Sequence, residues 1–527
     1  MKKRVKRAKC LAFLAVVLTA ALVCRLYYIQ VVCHDDLDAG AKAQQVIQVQ
    51  SRNDRGSIYD RNMIRLTDNC LSYYYLIEKK KETVGLEKLL DRIDAEPAGA
   101  KGEDYVVYKT DIFDKDVNAQ LIDDYGAYGF CGSSRYQSDQ TAVHLIGYLT
   151  GKEKTGASGL EKMFQYRLAS SPAMLTLTGD GIGAPVEGLG VSEKEARESI
   201  SPSAVVTTLD AGIQKKVEEI MEEREVTGAV VVLETATGQV LAMASSPSFD
   251  PNRIEEYLNS AEGELINKAT QGQYPPGSVF KIVVAAAALE SGAVDEQKTY
   301  QCKGSTEVNG VQLVCDDHPD GHGIVDMEKA FALSCNGYFA RLAKEIGSET
   351  IIDMAQRLGL GQTVIDGFPD EESGAFPSKE ERVYSGLSNL AIGQGSLLAT
   401  PVQIARMTNI IACGGIDREI TVTMSDEKEQ MTGKRVLTET TARRVGTMME
   451  KVCEEGTASS AEFHVTAAGK TGSAESGEGE DYTVHGWFTG YFPAENPEYT
   501  VTVVAENGKT GSSSALPVFE EIVNYLY

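Results

Sequence analysis

Tyr274-Pro275-Pro276-Gly277-Ser278-Val279-Phe280-Lys281 runs straight into the apolar segment Ile282-Val283-Val284-Ala285-Ala286-Ala287-Ala288-Leu289. Two prolines and a glycine cannot sit inside a helix, but they can deliver a chain into one. Ser278 is thereby placed at a helix N-terminus, where the backbone N–H is free and the helix dipole favours negative charge. Lys281 comes three residues later and shares a face with Ser278. Its neighbours Phe280, Ile282, Val283 and Val284 are apolar. Desolvation among them favours a neutral amine, able to take a proton from a serine hydroxyl. The reading is a serine nucleophile with a lysine base. The competing reading makes Ser278 an N-cap and Lys281 a snorkelling surface residue. Spacing alone does not choose, because chance supplies about two S-x-x-K spacings in a chain this long. Ser425-Asp426-Glu427-Lys428 is one of them. It lies in a charged stretch with no apolar helix behind it and reads as a decoy.

Working outward, the helix expected from Ser278 to Glu290, with Gly292 as its stop, lies between two β-rich blocks. Upstream, Val205 to Leu209 reads as a strand and Asp210 to Glu223 as an amphipathic helix. Gly228 to Glu234 and Gln239 to Ala244 then form a hairpin over Thr235-Ala236-Thr237-Gly238. Downstream, Met327 to Ile346 reads as one helix carrying Ser334-Cys335-Asn336 near its start. Thr400-Pro401-Val402-Gln403 is a capping-box start for a helix that Gly414-Gly415 ends. Leu437 to Val452 is a further helix. Val465 to Ser473, Val484 to Tyr491 and Thr500 to Glu506 read as strands, and Pro517 to Leu526 as a closing helix. The expected class is α+β, with an antiparallel sheet of about five strands packed against helices.

At 527 residues the chain is too long for one core. A net charge of −25 makes nucleic acid an unsuitable partner. The ten cysteines show no C-x-x-C pair and the six histidines no H-x-x-x-H pair, so the spacing indicates no metal site. Cys302 and Cys315 are near enough in sequence for a disulfide. Residues 1–9 form a basic tail, and residues 10–32 read as a membrane-crossing anchor with Arg25 snorkelling and Tyr27 and Tyr28 at the interface. A cleaved signal peptide is the alternative, and both readings put the following chain outside the cytoplasm.

Residues 33–200 read as an extended α+β pedestal. Ala39 to Gln50 is expected to be helical, Tyr73 to Ile77 a strand, and Lys79 to Glu96 an exposed helix. Gly179 to Gly190 is glycine-rich but lacks the strand-then-helix setting of a dinucleotide loop, and reads as turns or a linker. The remaining residues, 201–527, form the domain built around Ser278.

Three groups in that domain carry the chemistry: Ser278-Val279-Phe280-Lys281, Ser334-Cys335-Asn336 and Lys470-Thr471-Gly472-Ser473. S-x-x-K, S-x-N and K-T-G together mark penicillin-binding proteins and serine β-lactamases. The chain has K-T-G three times. Lys154-Thr155-Gly156 precedes any serine site, and Lys509-Thr510-Gly511 falls in a turn-rich loop. Lys470 alone sits on a strand with a hairpin partner, where a cation and hydroxyls suit an acyl donor ending in a carboxylate. Gly472 lets substrate approach the strand backbone.

Nearly the whole chain resembles the class B, monofunctional penicillin-binding proteins, the D,D-transpeptidases of peptidoglycan. Arg55 to Asn62 is similar to the family's R-G-x-I-x-D-R-N-G, with Met63 in place of the last glycine. Gly156 to Glu161 resembles G-x-x-G-L-E. Gly393-Gln394-Gly395 with Thr400-Pro401 resembles G-Q-G…T-P, and Ala515 to Phe519 resembles A-x-P-V-F. The resemblance implies a pedestal of the dimerisation type and a transpeptidase domain. It implies that Ser278 attacks the penultimate D-alanine carbonyl of a stem peptide and that Lys281 is its base. Ser334 would relay a proton and Asn336 would orient Lys281 and substrate. The Ser278 and Ser473 amides would form the oxyanion hole, Lys470 would supply positive potential, and Thr471 and Ser473 would bind the terminal carboxylate. It further implies acylation by β-lactams, no cofactor, a partner glycosyltransferase, divisome or elongasome partners, and a single-pass cell-membrane protein with its catalytic domain outside.

Two other function classes share these motifs. A β-lactamase or penicillin-sensing receptor would use the same serine, but no glutamate loop to activate water stands out between Asn336 and Lys470. A largely non-catalytic scaffold is at odds with three intact motifs. Cys335, between two functional residues, is expected to pack in the core, pointing away from Ser334 and Asn336 on a helix. His322 is expected in a turn and His485 on a sheet face, with the cleft as the alternative for both.

Overall fold

The computed structural model describes residues 2–33, 46–52, 55–68, 70–98, 105–151, 154–169, 173–178, 191–194, 204–295, 297–308, 310–315, 318, 320–424, 433–477 and 482–527. Ser425 to Lys428 and the glycine-rich 179–190 lie outside them. The chain forms two units. One comprises residues 1–55, 70–135 and 170–201, the other 56–69, 136–169 and 202–527. Segments 56–69 and 136–169 thus pack with the C-terminal part, and a single cut at residue 200 does not describe the division. A linear reading cannot see this, because the segments join by long-range pairing: Ile58–Tyr59 runs parallel to Val205–Val206.

In the first unit, Lys2–Tyr27 is helical and continues as a wider turn over Tyr28–Val32. Phe13–Val32 has a mean hydropathy of 1.9 and is unburied, long and apolar enough to cross a membrane. Strands Cys70–Glu78, Tyr105–Thr110, Tyr128–Ser134 and Glu96–Pro97 form an antiparallel sheet. Helices Val84–Arg92 and Lys115–Asp123 bury Leu86, Leu90, Val117 and Leu121 against Tyr75 and Ile77. The helix expected over Lys79 to Glu96 is therefore shorter and half-buried. Val46–Arg52 is a strand paired with Ala173–Thr178, so the helix expected to Gln50 is not formed there. Its alternation of Val and Ile with Gln is the period-2 pattern of a strand.

The second unit is built on one antiparallel sheet. Its strands are β1 (Gly228–Glu234), β2 (Gln239–Ser246), β3 (Ala468–Ser476), β4 (Thr483–Phe492) and β5 (Tyr499–Ala505), in the spatial order β2-β1-β5-β4-β3. β1 is central. Its Ala229 to Leu233 run is fully buried, which is why it is continuously apolar rather than alternating. Gly238, with φ +76°, closes the β1–β2 turn by donating to Glu234 O at 2.9 Å. β3 is an edge strand.

Four helices set the site against this sheet: α1 (Lys281–Ser291), α2 (Met327–Ala332), α3 (Asn336–Ile346) and α4 (Pro401–Ala412). Lys281 to Ala288 on α1 are buried all round, as an all-apolar helix must be. α1 ends at Gly292 with φ +62°. The capping box at Thr400 and Gln403 is present, with both groups buried. α2 and α3 replace the single helix expected from Met327 to Ile346. Leu333 to Cys335 form a turn between them, and Ser334 has φ +55°. Apolar periodicity runs on through the break, so the pattern alone hides it.

Candidate active site

The Pro-Pro-Gly segment works through geometry that its neighbours fix. Trp487 Nε1 donates to Pro275 O at 3.0 Å. Gly277 has φ +54°, and its amide donates to Gly393 O at 2.9 Å. A Cβ on Gly277 would lie 2.6 Å from Ser473 O, so only glycine lets the turn close on β3. Gly277–Phe280 is a 3₁₀ turn and α1 begins at Lys281. Ser278 therefore sits one turn ahead of the helix proper.

Lys281 is fully buried. Its Nζ lies 3.1 Å from Ser278 Oγ and 3.0 Å from Ser334 Oγ. It donates to Ser334 O and to Asn336 Oδ1, both at 2.8 Å. Asn336 Nδ2 donates to Val314 O at 2.8 Å, which fixes the amide with its oxygen towards the lysine. Burial pushes Lys281 down from 10.5 to about 8. A neutral amine has two N–H donors and one lone pair. The Ser334 carbonyl and Asn336 Oδ1 can only accept, so they take both hydrogens and leave the lone pair for the two hydroxyls. The left-handed Ser334 is what turns both its carbonyl and its hydroxyl onto one amine.

Lys470 on β3 is also fully buried and donates to Thr471 O at 3.1 Å. Desolvation, and next the charge of Lys281, hold it well below the usual lysine range. Its Nζ stands 5.7 Å from the Phe331 ring centroid. Above the two lysines lies a cleft of about 550 Å³ lined by Ser278, Ser334, Asn336, Thr471, Gly472 and Ser473. A Cβ on Gly472 would come within 3.1 Å of Pro276 O, so a larger residue would crowd the nucleophile turn. All eight residues singled out from the sequence thus meet in one place.

Further residues reach this site, of which Thr457 belongs to no motif. Thr457 lies 2.5 Å, hydroxyl to hydroxyl, from Thr471. Gln394 donates to Ser473 O at 3.4 Å. The third K-T-G copy, set aside as a turn, reaches the cleft: Lys509 and Thr510 line it, and Gly511 N donates to Ser473 Oγ at 3.2 Å. Lys154 of the first copy has φ +52° in a turn beside the short Thr155–Gly156 strand. His322 lines the cleft, beyond the turn role expected of it. His485 packs edge-on against Tyr274, with ring centroids 5.2 Å apart. Cys335 is fully buried, as expected, but in the α2–α3 turn rather than on a helix. Cys302 and Cys315 are free thiols with sulfurs 3.8 Å apart. Their spacing in the chain allowed a disulfide; the structure has none between them.

The outlying motifs have structural work. Asp60 is buried and accepts from the amides of Asn62, Ile64 and Ala211. Met63 takes φ +65°, the conformation for which glycine is suited. Glu161 is buried and accepts from Tyr136 OH at 2.9 Å. Phe519 packs against Phe488 at 4.5 Å.

Comparison with known proteins agrees with this geometry. Residues 228–524 match the penicillin binding protein transpeptidase domain. The chain is 26% identical to the peptidoglycan D,D-transpeptidase MrdA of Acinetobacter baumannii, covering 98% of this chain and 88% of that one. It is 27% identical to the peptidoglycan D,D-transpeptidase FtsI of Escherichia coli K12, over 74% of this chain and 66% of that one. The fold is shared with penicillin-binding protein PBP2 of Helicobacter pylori, solved in complex with MreC. That structure has a TM-score of 0.68 and 22% identity, and covers 92% of this chain and 98% of the other. The chain belongs to the penicillin-binding protein transpeptidase family, within its class B, the peptidoglycan D,D-transpeptidases.

Proposed function

We propose that Ser278 is the acyl-accepting nucleophile that cross-links peptidoglycan stem peptides, with Lys281 as its general base. The observation that carries this reading is the buried Lys281 amine, held at hydrogen-bond distance from Ser278 Oγ, Ser334 Oγ and Asn336 Oδ1 at once. Lys281 takes the Ser278 proton as Oγ bonds to the penultimate D-alanine carbonyl. The peptide C–N bond then breaks, and Ser334 passes that proton to the departing D-alanine amine. An amine of a neighbouring stem attacks the ester, regenerates the Ser278 hydroxyl and completes the cross-link. Asn336 holds Lys281 and meets the substrate amide.

The Ser473 carbonyl is turned towards Gly277 and Gln394. In an extended strand the N–H of the same residue points to the same side. This supports the Ser473 amide as one oxyanion donor, with that of Ser278 as the other, each donor being worth about 3 kcal/mol in such sites. The Thr471 and Ser473 hydroxyls bind the terminal carboxylate, and its charge draws a proton back onto Lys470, which then supplies positive potential. β-Lactams acylate the same serine.

The Phe13–Val32 helix anchors the chain by a single pass, with the basic tail in the cytoplasm and the catalytic unit outside. The first unit is a docking pedestal for a glycosyltransferase and for elongation or division proteins. The H. pylori neighbour, solved with MreC, motivates that partner class.

Mass spectrometry after penicillin treatment tests the central claim. The adduct is expected on a Ser278 peptide and absent from Ser278→Ala; an adduct persisting in Ser278→Ala refutes it. Rapid release of hydrolysed drug would make the chain a β-lactamase instead.

A further inference from the structure

A buried ion pair stands behind the nucleophile turn and has no role in the acyl transfer just described. Lys268 Nζ donates to Glu506 Oε2 and the Tyr274 hydroxyl donates to Glu506 Oε1, both at 2.6 Å. Lys268 and Tyr274 are buried, and the Glu506 side chain is 19% exposed. Burial, and next the charge of Glu506, push the Tyr274 hydroxyl up, so it stays a donor. Such a pair adds little to stability, because the cost of desolvating two charges offsets most of their attraction. A phenyl ring at position 274 and an apolar pair at 268 and 506 would fill the same space. What two short bonds to one carboxylate do fix is geometry.

Glu506 joins two segments that bear on the site. It follows β5 directly, and its amide donates to Thr227 O at 2.7 Å. Asn507 then takes φ +52° and turns the chain towards Lys509 and Thr510, which line the cleft. Further along this loop, Gly511 N donates to Ser473 Oγ at 3.2 Å. A Cβ on Gly511 would lie 2.3 Å from Gly472 O, so the loop is pressed onto β3. On the other side, Tyr274 heads the stretch that ends in Ser278 and Lys281. Its backbone exchanges hydrogen bonds with Ala399 at 3.0 and 2.9 Å. Its ring packs edge-on against Trp487, which holds Pro275 O. Gly272 lets that ring fold back over Lys268, for a Cβ there would lie 2.5 Å from Tyr274 Oη.

We propose that Glu506 is a positioning residue for acyl transfer: gripped by Lys268 and Tyr274, its carboxylate fixes the Ser278 turn against the loop that braces β3, and so sets the gap between the nucleophile and the K-T-G strand. None of the three residues is among the described residues that line the cleft, so the effect runs through position and not through contact with substrate. Acyl transfer is sensitive to that gap, because a misplacement of about 1 Å can cost about a hundredfold in rate. The proposal rests on the reading of Ser278 as the nucleophile.

Stopped-flow acylation of the full chain in detergent, over a range of penicillin concentrations, separates pre-acylation binding from the acylation step. Tyr274→Phe keeps the ring and removes one bond to Glu506. Glu506→Gln keeps the shape and removes the charge. Each should slow the acylation step about tenfold and leave pre-acylation binding within about twofold. The double variant should also be slowed about tenfold, since both changes open one joint. The midpoint of the pH profile should stay where the parent chain has it. A lowered melting temperature with an unchanged acylation rate in the folded chain makes the cluster a matter of stability alone and overturns the proposal. A loss confined to binding, a loss of about a hundredfold in the double variant, or a displaced pH midpoint overturns it too. If the parent chain acquires no adduct on Ser278, the nucleophile reading fails and the proposal with it. Normal acylation of parent and variants alike overturns the positioning role and leaves that reading standing.

Discussion

Titrating the acylation reaction perturbs the group on which the mechanism turns. Lys281 acts as a base only when neutral, and burial brings it down from 10.5 to about 8. At pH 6 about one amine in a hundred is neutral, against half at pH 8. The second-order rate constant for acylation by penicillin should therefore rise about tenfold per pH unit up to about pH 7.5 and level off above 8.5. Stopped-flow acylation over this range, with circular dichroism confirming a constant fold, measures it. A rate that is flat down to pH 6 refutes Lys281 as the base with this proton affinity; a rate that falls as pH rises refutes a basic role altogether. The same shift has a stability consequence of fixed sign. The native state binds fewer protons than the unfolded chain between about pH 8 and the ordinary lysine value of 10.5. Stability thus rises with pH across that window, by about 3 kcal/mol from this one residue. Below pH 8 the cost of burying the cation is fully present. Lys470, shifted in the same direction, adds to the slope.

Four substitutions probe the frame around the site. Met63→Gly removes a side chain held at φ +65° and should stabilise the chain by about 1 kcal/mol, read as a raised melting temperature; a lowered one would show that Met63 packs usefully. Gly277→Ala must either lose φ +54° or press Cβ to 2.6 Å from Ser473 O. A loss of about 2 kcal/mol and at least about tenfold slower acylation are expected, and normal acylation would mean the turn has slack. Thr400→Ala removes one half of a buried capping box and should cost about 1 kcal/mol in chemical denaturation with acylation unchanged in the folded fraction. Thr457→Val takes away the hydroxyl 2.5 Å from Thr471. It should weaken pre-acylation binding of carboxylate-bearing β-lactams about fivefold while the maximal acylation rate holds.

Local chemistry was legible wherever it repeats along the chain. The β1–β2 hairpin follows from two apolar runs and a glycine turn. The stop at Gly292 and the capping box at Thr400 follow from single residues whose backbone preferences are strong. Features that depend on partners distant in sequence were not legible. The α2–α3 break is invisible because Ser334 adopts φ +55° under tertiary constraint, within a stretch whose apolar pattern suits one helix. Thr457 is an ordinary residue that matters only through what it touches, and the G-Q-G resemblance marks Gln394 without showing that it reaches Ser473 O. The third K-T-G copy was discarded for its turn-rich flanks, yet β5 ends beside β4 and delivers Lys509 and Thr510 to the cleft.

The chemistry is written in the order of the residues: a serine and a lysine one helical turn apart, a polar S-x-N and a K-T-G strand, the residue types that acyl transfer to a serine requires. Helical and strand periodicity are properties of neighbouring residues, so they can be read without a fold. Packing of distant segments is what desolvates Lys281 on every side, turns both oxygens of Ser334 onto that amine, and brings together three cysteines and a histidine that no motif spacing links. Each of these depends on which distant segments pack together, and no local pattern encodes that.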